Sequence, residues 1–194
     1  MDTLRLPWTA YIPHKPTPKQ LAFLLLENPE ALYGGAAGGG KSDALLMAAL
    51  QYVDQPGYAA LMLRRSYTDL ALPGALMDRA KEWLMPTDAK WHDHRKTWAF
   101  PSGATLTFGY LERPGDEYRY QSTEFQFVAF DELTQFEEGH YRYMFSRLRR
   151  RIGGGAPLRM RSASNPGGVG HEWVRGRFID ADPSDGERVF ISAR

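Results

Sequence analysis

Residues 35–42 read Gly-Ala-Ala-Gly-Gly-Gly-Lys-Ser, and this stretch decides the fold of the 194-residue chain. It fits the pattern G-x4-G-K-[ST], in which backbone N–H groups curl around phosphate oxygens and glycine supplies the backbone angles that this requires. A short apolar run, Ala31–Tyr33, precedes it, and Lys41–Tyr52 follows with good helix formers and neither proline nor interior glycine. Strand, glycine-rich loop and helix in this order predict a phosphate-binding loop and hence a nucleotide site.

Each part of the loop has a chemical task in this prediction. The helix that starts near Lys41 directs its N-terminal N–H groups and its dipole at the bound anion. The lysine of this motif reaches the β- and γ-phosphates, and the hydroxyl that follows it binds Mg²⁺. The sequence therefore predicts an ATP and Mg²⁺ site. The residues expected to bind the nucleotide are Gly35, Ala36, Ala37, Gly38, Gly39, Gly40, Lys41 and Ser42.

The composition narrows the class of protein. The absence of cysteine excludes a disulfide scaffold, a cysteine-ligated zinc or iron–sulfur site and a cysteine nucleophile. The contents of 43% hydrophobic and 24% charged residues suit a globular domain, and no apolar run approaches the ~20 residues of a membrane helix. The net charge is only +1, but seven arginines and no acid lie in residues 141–161, either as a solvated helix face or as a surface for phosphates.

Apolar runs of strand length alternate with helix-forming stretches along the chain. The predicted strands are Ala31–Tyr33, Ala59–Leu63, Phe125–Phe130 and Leu158–Ala163, with a hairpin at Trp98–Phe108, and the predicted helices are Lys19–Glu27, Lys41–Tyr52, Leu76–Leu84 and Glu137–Arg151. This alternation predicts an α/β fold with a central, mostly parallel sheet flanked by helices. Ligands of such sheets bind at the carboxyl ends of the strands.

Two carboxylates follow the apolar run Phe127–Phe130. On their own, Asp131 and Glu132 are better explained as the end of a strand followed by a helix cap. In a nucleotide hydrolase, however, an aspartate at this place holds Mg²⁺, and a glutamate one residue later orients and deprotonates the attacking water. Together with the phosphate-binding loop, the pair therefore predicts that Asp131 binds Mg²⁺ and that Glu132 is the catalytic base of a hydrolase.

Polar residues also close the predicted strand Leu158–Ala163. Ser164 and Asn165 stand where a side chain at the end of a parallel strand can sense the γ-phosphate. The residues that follow, Pro166-Gly167-Gly168, are strong turn formers, so a simple turn explains the stretch equally well.

An ordered set of short motifs runs along most of the chain. The pieces are Pro18–Phe23, Gly34–Ser42, Leu63–Tyr67, Phe100–Ala104, Phe127–Leu133, Ser164–Gly168, Gly170–Trp173 and Arg177–Ile179. In this order they resemble the N-terminal ATPase domain of the phage large terminase subunit, the motor that packages viral DNA. The loop and the acidic pair occur in many families, whereas Asn-Pro-Gly-Gly followed by Gly-His-x-Trp is much more specific.

The resemblance implies a P-loop NTPase fold of the ASCE, RecA-like type for residues 1–180. Residues 181–194 would begin a linker toward a nuclease domain that this chain lacks, so no nuclease activity is expected of it. The resemblance further implies that Gln20 recognises adenine and that Ser164 and Asn165 couple hydrolysis to motion.

The same resemblance implies a function and a set of partners. Mg²⁺-dependent ATP hydrolysis would drive double-stranded DNA into a procapsid. The implied partners are double-stranded DNA, the portal protein, the small terminase subunit and further copies of the chain, which would be a monomer in isolation and a ring on the portal. The implied location is the host cytoplasm, without a membrane.

Several arginines bear on this expectation. Many large terminases carry an arginine inside the loop, where this sequence has Ala37, and some place a trans-acting arginine where this sequence has Gln121. Arg119 is the nearest candidate for such a finger, which accelerates hydrolysis strongly, so an isolated domain is expected to be a poor ATPase. Its rivals are Arg147, Arg149 and Arg150.

Arg64 and Arg65 suit a contact to DNA or phosphate, or a simple salt bridge.

Two other functions remain open. A helicase-like or RecA-like ATPase acting elsewhere would share the loop and the acidic pair, although the Asn-Pro-Gly-Gly and Gly-His-x-Trp stretches argue against it. A nucleotide-gated binding module would bind ATP with little turnover as an isolated domain.

Overall fold

One sheet of eight strands carries the fold of residues 6–35, 38–150, 154–182 and 186–193, which the computed structural model describes. In chain order the elements are α1 (Pro18–Leu24), β1 (Glu30–Gly34), α2 (Lys41–Leu50), β2 (Ala59–Arg64), α3 (Tyr67–Ala71), α4 (Leu76–Leu84), β3 (Lys90–His92), β4 (Thr97–Ala99), β5 (Thr105–Tyr110), β6 (Phe127–Asp131), α5 (Glu138–Phe145), β7 (Arg159–Ser164), α6 (His171–Phe178) and β8 (Arg188–Ser192). Short 3-10 helices lie at Asp93–Arg95, Asp116–Tyr120 and Leu133–Gln135.

The order of the strands across the sheet is β3-β4-β5-β2-β6-β7-β1-β8. Every neighbouring pair from β5 to β8 is parallel, whereas β3, β4 and β5 are joined as antiparallel neighbours. The prediction of a mostly parallel sheet flanked by helices is confirmed, and the architecture is that of a P-loop NTPase. Because β7 lies between β1 and β6, three carboxyl ends meet at the centre of one sheet edge.

The two faces of the sheet pack into separate cores. On β2, Ala60 and Met62 point to the face covered by α1, α2 and α4, whereas Leu61 and Leu63 point to the face covered by α5 and α6. This alternation is the period of two that a strand imposes. Helix α2 is buried from residue 44 to residue 50, so the element that follows the phosphate-binding loop is fixed by the core.

Two arginines of β7 are buried against the ends of helices. The guanidinium of Arg159 donates to Ala48 O at 3.0 Å and to Gln51 Oε1 at 2.7 Å, at the C-terminal end of α2. Arg161 donates to Leu26 O at 2.7 Å, just beyond α1, and burial lowers its pKa. A helix C-terminus carries partial negative charge, which stabilises a buried cation. These two of the seven clustered arginines therefore belong to the interior and not to a surface.

The structure differs from the sequence-based expectation in two places. The helix predicted for residues 137–151 ends at Phe145, because the chain then lies beside Phe125, whose N–H donates to Arg147 O at 3.1 Å. Residues 188–192 fall in the predicted linker, yet they form β8, which pairs in parallel with β1. The elements α3, β3, α6 and β8 were also absent from the prediction.

Within the described residues, no helix is both long enough and apolar enough to cross a membrane.

Candidate nucleotide site

The phosphate-binding loop leaves β1 at the sheet edge and enters α2. Gly35, Gly38 and Gly40 have φ values of 135°, 82° and 63°, which side chains with a Cβ rarely adopt. Gly40 in its left-handed conformation caps α2. The Nζ of Lys41 donates to Gly35 O at 3.3 Å, so the lysine side chain folds back over the loop. The predicted ligands Ala36 and Ala37 lie outside the described residues.

Ser42 and Asp131 meet where α2 begins and β6 ends. The Oγ of Ser42 lies 3.3 Å from both carboxylate oxygens of Asp131, and the Nε of Arg64 donates to Asp131 Oδ2 at 2.7 Å. Asp131 is only 1% exposed, and burial raises its pKa while the charge of Arg64 opposes that rise. For Arg64, the structure therefore shows the salt bridge. Arg65 instead donates to the backbone oxygen of Leu111.

The Ser42 hydroxyl and the Asp131 carboxylate together suit a magnesium ion. A hydroxyl and a carboxylate are hard ligands, and Mg²⁺ is usually held by one or two such side chains together with waters and phosphate oxygens. The described residues contain no group of three or more His, Cys, Asp and Glu that could bind a metal alone. Ser42 and Asp131 thus fit an ion that arrives with a nucleotide.

Glu132 has a strained backbone and points toward β7. Its φ of 58° and ψ of 56° are left-handed, a conformation that costs of the order of 1 kcal/mol in a residue with a side chain. Its carboxylate accepts hydrogen bonds from Asn165 Nδ2 at 3.2 and 3.4 Å and from Asn165 N at 3.4 Å. Strain of this kind clusters at functional sites. The structure therefore brings together the two sequence-predicted residues Glu132 and Asn165.

Ser164 contacts a residue that the sequence analysis missed. Its Oγ lies 2.8 Å from Thr134 Oγ1 and accepts from Thr134 N at 3.2 Å. Thr134 Oγ1 also donates to Asn165 O at 3.2 Å. Its place three residues after Asp131 is the only sequence signal, and it does not specify this contact.

The turn after Asn165 packs onto the 3-10 helix Leu133–Gln135. Gly170 N donates to Thr134 O at 2.7 Å, and Trp173 Nε1 donates to Phe136 O at 2.8 Å. A Cβ on Gly168 would lie 2.6 Å from Thr134 O, and the φ of Gly168 is +95°. The stretch that resembles the coupling motif is thus a turn in close contact with the segment that follows the acidic pair.

We expect Gly168→Ala to destabilise the fold by about 2 kcal/mol, because it adds a clash with backbone to an unfavourable φ. Gly167→Ala is the matched control, since Gly167 has nearly the same φ, +96°, and open space around its Cβ position. Urea unfolding of both variants would measure the difference. Equal losses would show that the turn does not need its close contact with Thr134.

Gln20 lies under the loop. Its Oε1 accepts from Thr17 N at 2.9 Å in a capping box of α1, and its Nε2 donates to Gly40 O at 2.9 Å. Gln20 is buried, and its hydrogen bond to Gly40 O supports the loop. Recognition of adenine by Gln20 stays a prediction.

Arg119 lies apart from the loop, beyond the carboxyl end of β5. Its Nη2 pairs with Asp116 Oδ1 at 2.6 Å, and its guanidinium lies 4.4 Å from the ring centroid of Tyr110. Burial acts to raise the pKa of Asp116, but hydrogen bonds from backbone N–H groups and Arg119 outweigh it and lower that pKa to about 2. Of the rival arginines, Arg147 donates to Gln121 O at 2.7 Å, and Arg149 and Arg150 are exposed.

A cavity of about 440 Å³ lies in front of the loop. We call it the loop cavity. It is lined by Gly38, Gly39, Gly40, Lys41, Ser42, Asp43, Gly74, Arg79, Glu132 and Asn165. Most of these residues were predicted from the sequence, but Asp43, Gly74 and Arg79 were not.

The fold is similar to solved phage terminases. A large terminase of a thermophilic bacteriophage matches with a TM-score of 0.67 at 15% identity over 92% of this chain and 46% of its own. The HK97 bacteriophage large terminase matches with a TM-score of 0.68 at 13% identity, over 93% of this chain and 40% of its own. The ATPase domain of the Thermus phage P74-26 large terminase matches with a TM-score of 0.63 at 16% identity, over 97% of this chain and 86% of its own. This chain thus spans less than half the length of the first two.

The sequence itself matches a family model. Residues 32–170 match the model described as terminase large subunit, T4likevirus-type, N-terminal, which covers well over half of the chain. No curated protein matches. The matched range contains the loop, the acidic pair and the turn after β7. The chain therefore belongs to the phage large terminase family and corresponds to the N-terminal region of that subunit.

Proposed function

We propose that this chain binds Mg·ATP on residues 35–42 and hydrolyses it as the ATPase domain of a viral DNA-packaging motor. The observation that carries the proposal is the contact between Glu132 and Asn165 at the wall of the loop cavity, which Lys41 and Ser42 also line. A base, a polar sensor and phosphate-binding groups at one cavity are what hydrolysis of a γ-phosphate needs. Similar folds have been solved with ADP and with ATP-γ-S, which supports a nucleotide ligand.

The binding step uses the loop and its two oxygen ligands. The backbone N–H groups at the start of α2 face the phosphates, and Lys41 exchanges its contact with Gly35 O for phosphate oxygens. Ser42 and Asp131 would hold Mg²⁺, which would neutralise charge on the phosphates. Arg64 keeps the Asp131 carboxylate oriented through its 2.7 Å contact. We propose that Gln20 supports the loop from below and contacts adenine.

The chemical step uses Glu132. Its carboxylate orients a water molecule for in-line attack and takes a proton from it. Asn165 holds the carboxylate through two of its donors and is next to Ser164, which contacts Thr134. Loss of the γ-phosphate changes what Glu132 and Asn165 contact. The turn after Asn165 transmits that change to α6 through Gly170 and Thr134.

The wider assembly is proposed from the family. The motor would act on double-stranded DNA as a ring on the portal protein, with the small terminase subunit, in the host cytoplasm. DNA contacts would be mainly to phosphates, and hence independent of sequence and sensitive to salt. Residues 1–180 would be the ATPase domain and residues 181–194 the start of the linker, with β8, inside that range, paired to β1 at the edge of the sheet. Arg119, outside the loop cavity of its own chain, would reach the site of a neighbouring copy.

Phosphate release from Mg·ATP, measured across a wide range of protein concentrations, tests the proposal. We expect a rate per molecule that rises with concentration, because a neighbour supplies Arg119. Lys41→Ala is the control that removes phosphate binding. A rate that does not depend on concentration would contradict the role of the neighbour. Tight ATP binding with no release at any concentration would instead support a nucleotide-gated binding module.

A further inference from the structure

Arg79 faces the loop cavity from outside the motifs that predicted the site. It lies in the first half of α4, and its Nη1 pairs with Asp43 Oδ1 at 2.7 Å. Asp43 directly follows Ser42 in the first turn of α2. Among residues 35–42, Lys41 is the only cation, so Arg79 is the second cationic side chain among the described residues that line the cavity.

The position of Arg79 is fixed by its own helix. Its neighbours Leu76 and Ala80 are buried in the core, and Arg79 N donates to Ala75 O at 2.9 Å. The preceding turn is held by Gly74 N, which donates to Asp78 Oδ2 at 2.8 Å. The backbone that carries Arg79 is therefore held beside the loop, while its side chain is more than a third exposed and can change partner.

The partner that Arg79 has now is a weak one. The Arg79 side chain is 37% exposed and that of Asp43 17%, and ion pairs open to solvent contribute little to stability. A terminal phosphate offers a planar guanidinium more charged acceptor oxygens and more negative charge than the single carboxylate of Asp43. A polyphosphate in the cavity would therefore compete well for Arg79.

We propose that Arg79 contacts the γ-phosphate of ATP bound to its own chain, and that Asp43 is a positioning residue that holds Arg79 beside the loop before nucleotide binds. The proposal rests on the proposed function, since it takes the loop ligand to be a nucleoside triphosphate. It gives this chain a second cation of its own at the γ-phosphate, after Lys41, in addition to the one proposed from a neighbour.

Nucleotide affinity tests the contact without any turnover. We expect Arg79→Ala to weaken ATP-γ-S about 10- to 100-fold, the effect of a lost charged hydrogen bond, and ADP only slightly. Arg79→Lys should recover part of the ATP-γ-S affinity, and Asp43→Asn should change it far less than Arg79→Ala. Arg95→Ala, at an exposed arginine of the β3–β4 connection, is the control. Equal loss of both nucleotides in Arg79→Ala, or no loss, would overturn the proposal.

Mixing variants separates action within one chain from action on a neighbour. An Arg79→Ala and Glu132→Gln mixture should stay inactive, because neither chain has a complete site. An Arg119→Ala and Glu132→Gln mixture should regain hydrolysis, because the second chain supplies the missing arginine. Recovery in the first mixture would show that Arg79 acts on a neighbour and would overturn the proposal.

The two proposals fail in distinguishable ways. Wild-type protein that does not bind ATP-γ-S would refute the proposed function, and the inference with it. Wild-type protein that binds ATP-γ-S much more tightly than ADP, with the same preference in Arg79→Ala, would refute the inference alone.

Discussion

Replacing Glu132 by Gln should lower the rate of ATP hydrolysis at least about 100-fold, the smaller end of what a positioned base contributes. The substitution removes the proton acceptor but keeps an amide oxygen, which can still accept the hydrogen bond from Asn165 Nδ2. The geometry of the loop cavity is therefore preserved. ATP should remain bound, because the groups that hold its phosphates are unchanged.

Single-turnover release of phosphate and retention of labelled nucleotide would measure the two parts of this prediction. Glu137→Gln is the matched control, since Glu137 is an exposed glutamate of the same segment, five residues later. It should hydrolyse ATP at the wild-type rate. Hydrolysis by Glu132→Gln within a few-fold of wild type would show that another group activates the water.

Replacing Arg177 by Met should lower the free energy of unfolding by about 3 kcal/mol, because it leaves a buried carboxylate without its main partner. The Glu30 side chain is 2% exposed, and Arg177 donates to it from Nε at 2.8 Å and from Nη2 at 2.9 Å. Tyr141 donates to the same carboxylate at 2.8 Å, and burial raises the pKa of that tyrosine well above its usual value. Arg188, at 3.4 Å, is left as a weaker cationic partner.

Chemical denaturation of a double-mutant cycle would measure this effect. The pair Arg177→Met and Glu30→Gln should cost less than the sum of the two single changes, because the buried charge is gone. Arg175→Met, at an exposed residue of the same helix, should change the unfolding free energy by less than about 0.5 kcal/mol. Additive losses in the cycle would contradict the explanation by an unpaired charge.

The parts of the site that the sequence predicted are those encoded by neighbouring residues. The glycine-rich loop with Lys41, the pair Asp131 and Glu132 after an apolar run, and the polar end of β7 all lie within short stretches. Their convergence follows from the rule that parallel strands end at one edge, which places three such stretches together. The mostly parallel sheet was predictable because strand-length apolar runs alternate with helix-forming stretches along the sequence.

The parts that the sequence did not predict depend on pairs of distant residues. Arg64 reaches Asp131 across 67 positions, and Arg79 reaches Asp43 across 36. The residues next to an arginine in a strand or helix do not indicate which distant carboxylate it will contact. The strand β8 was missed because Pro, Ser, Asp and Gly before it suggested a linker, although Val189, Phe190 and Ile191 are good strand formers.

The buried Arg159 has a mechanical consequence. Helix α2 begins at Lys41 in the loop cavity, and its far end is tied by Arg159 to the start of β7. The other end of β7 returns to the cavity at Asn165. Helix and strand are thus joined at one end by Arg159 and meet at the loop cavity at the other, so we expect a tilt of one to be felt by the other. In the proposed function, a displacement at Asn165 would pass along the turn to α6, whose first turn contacts the segment after the acidic pair.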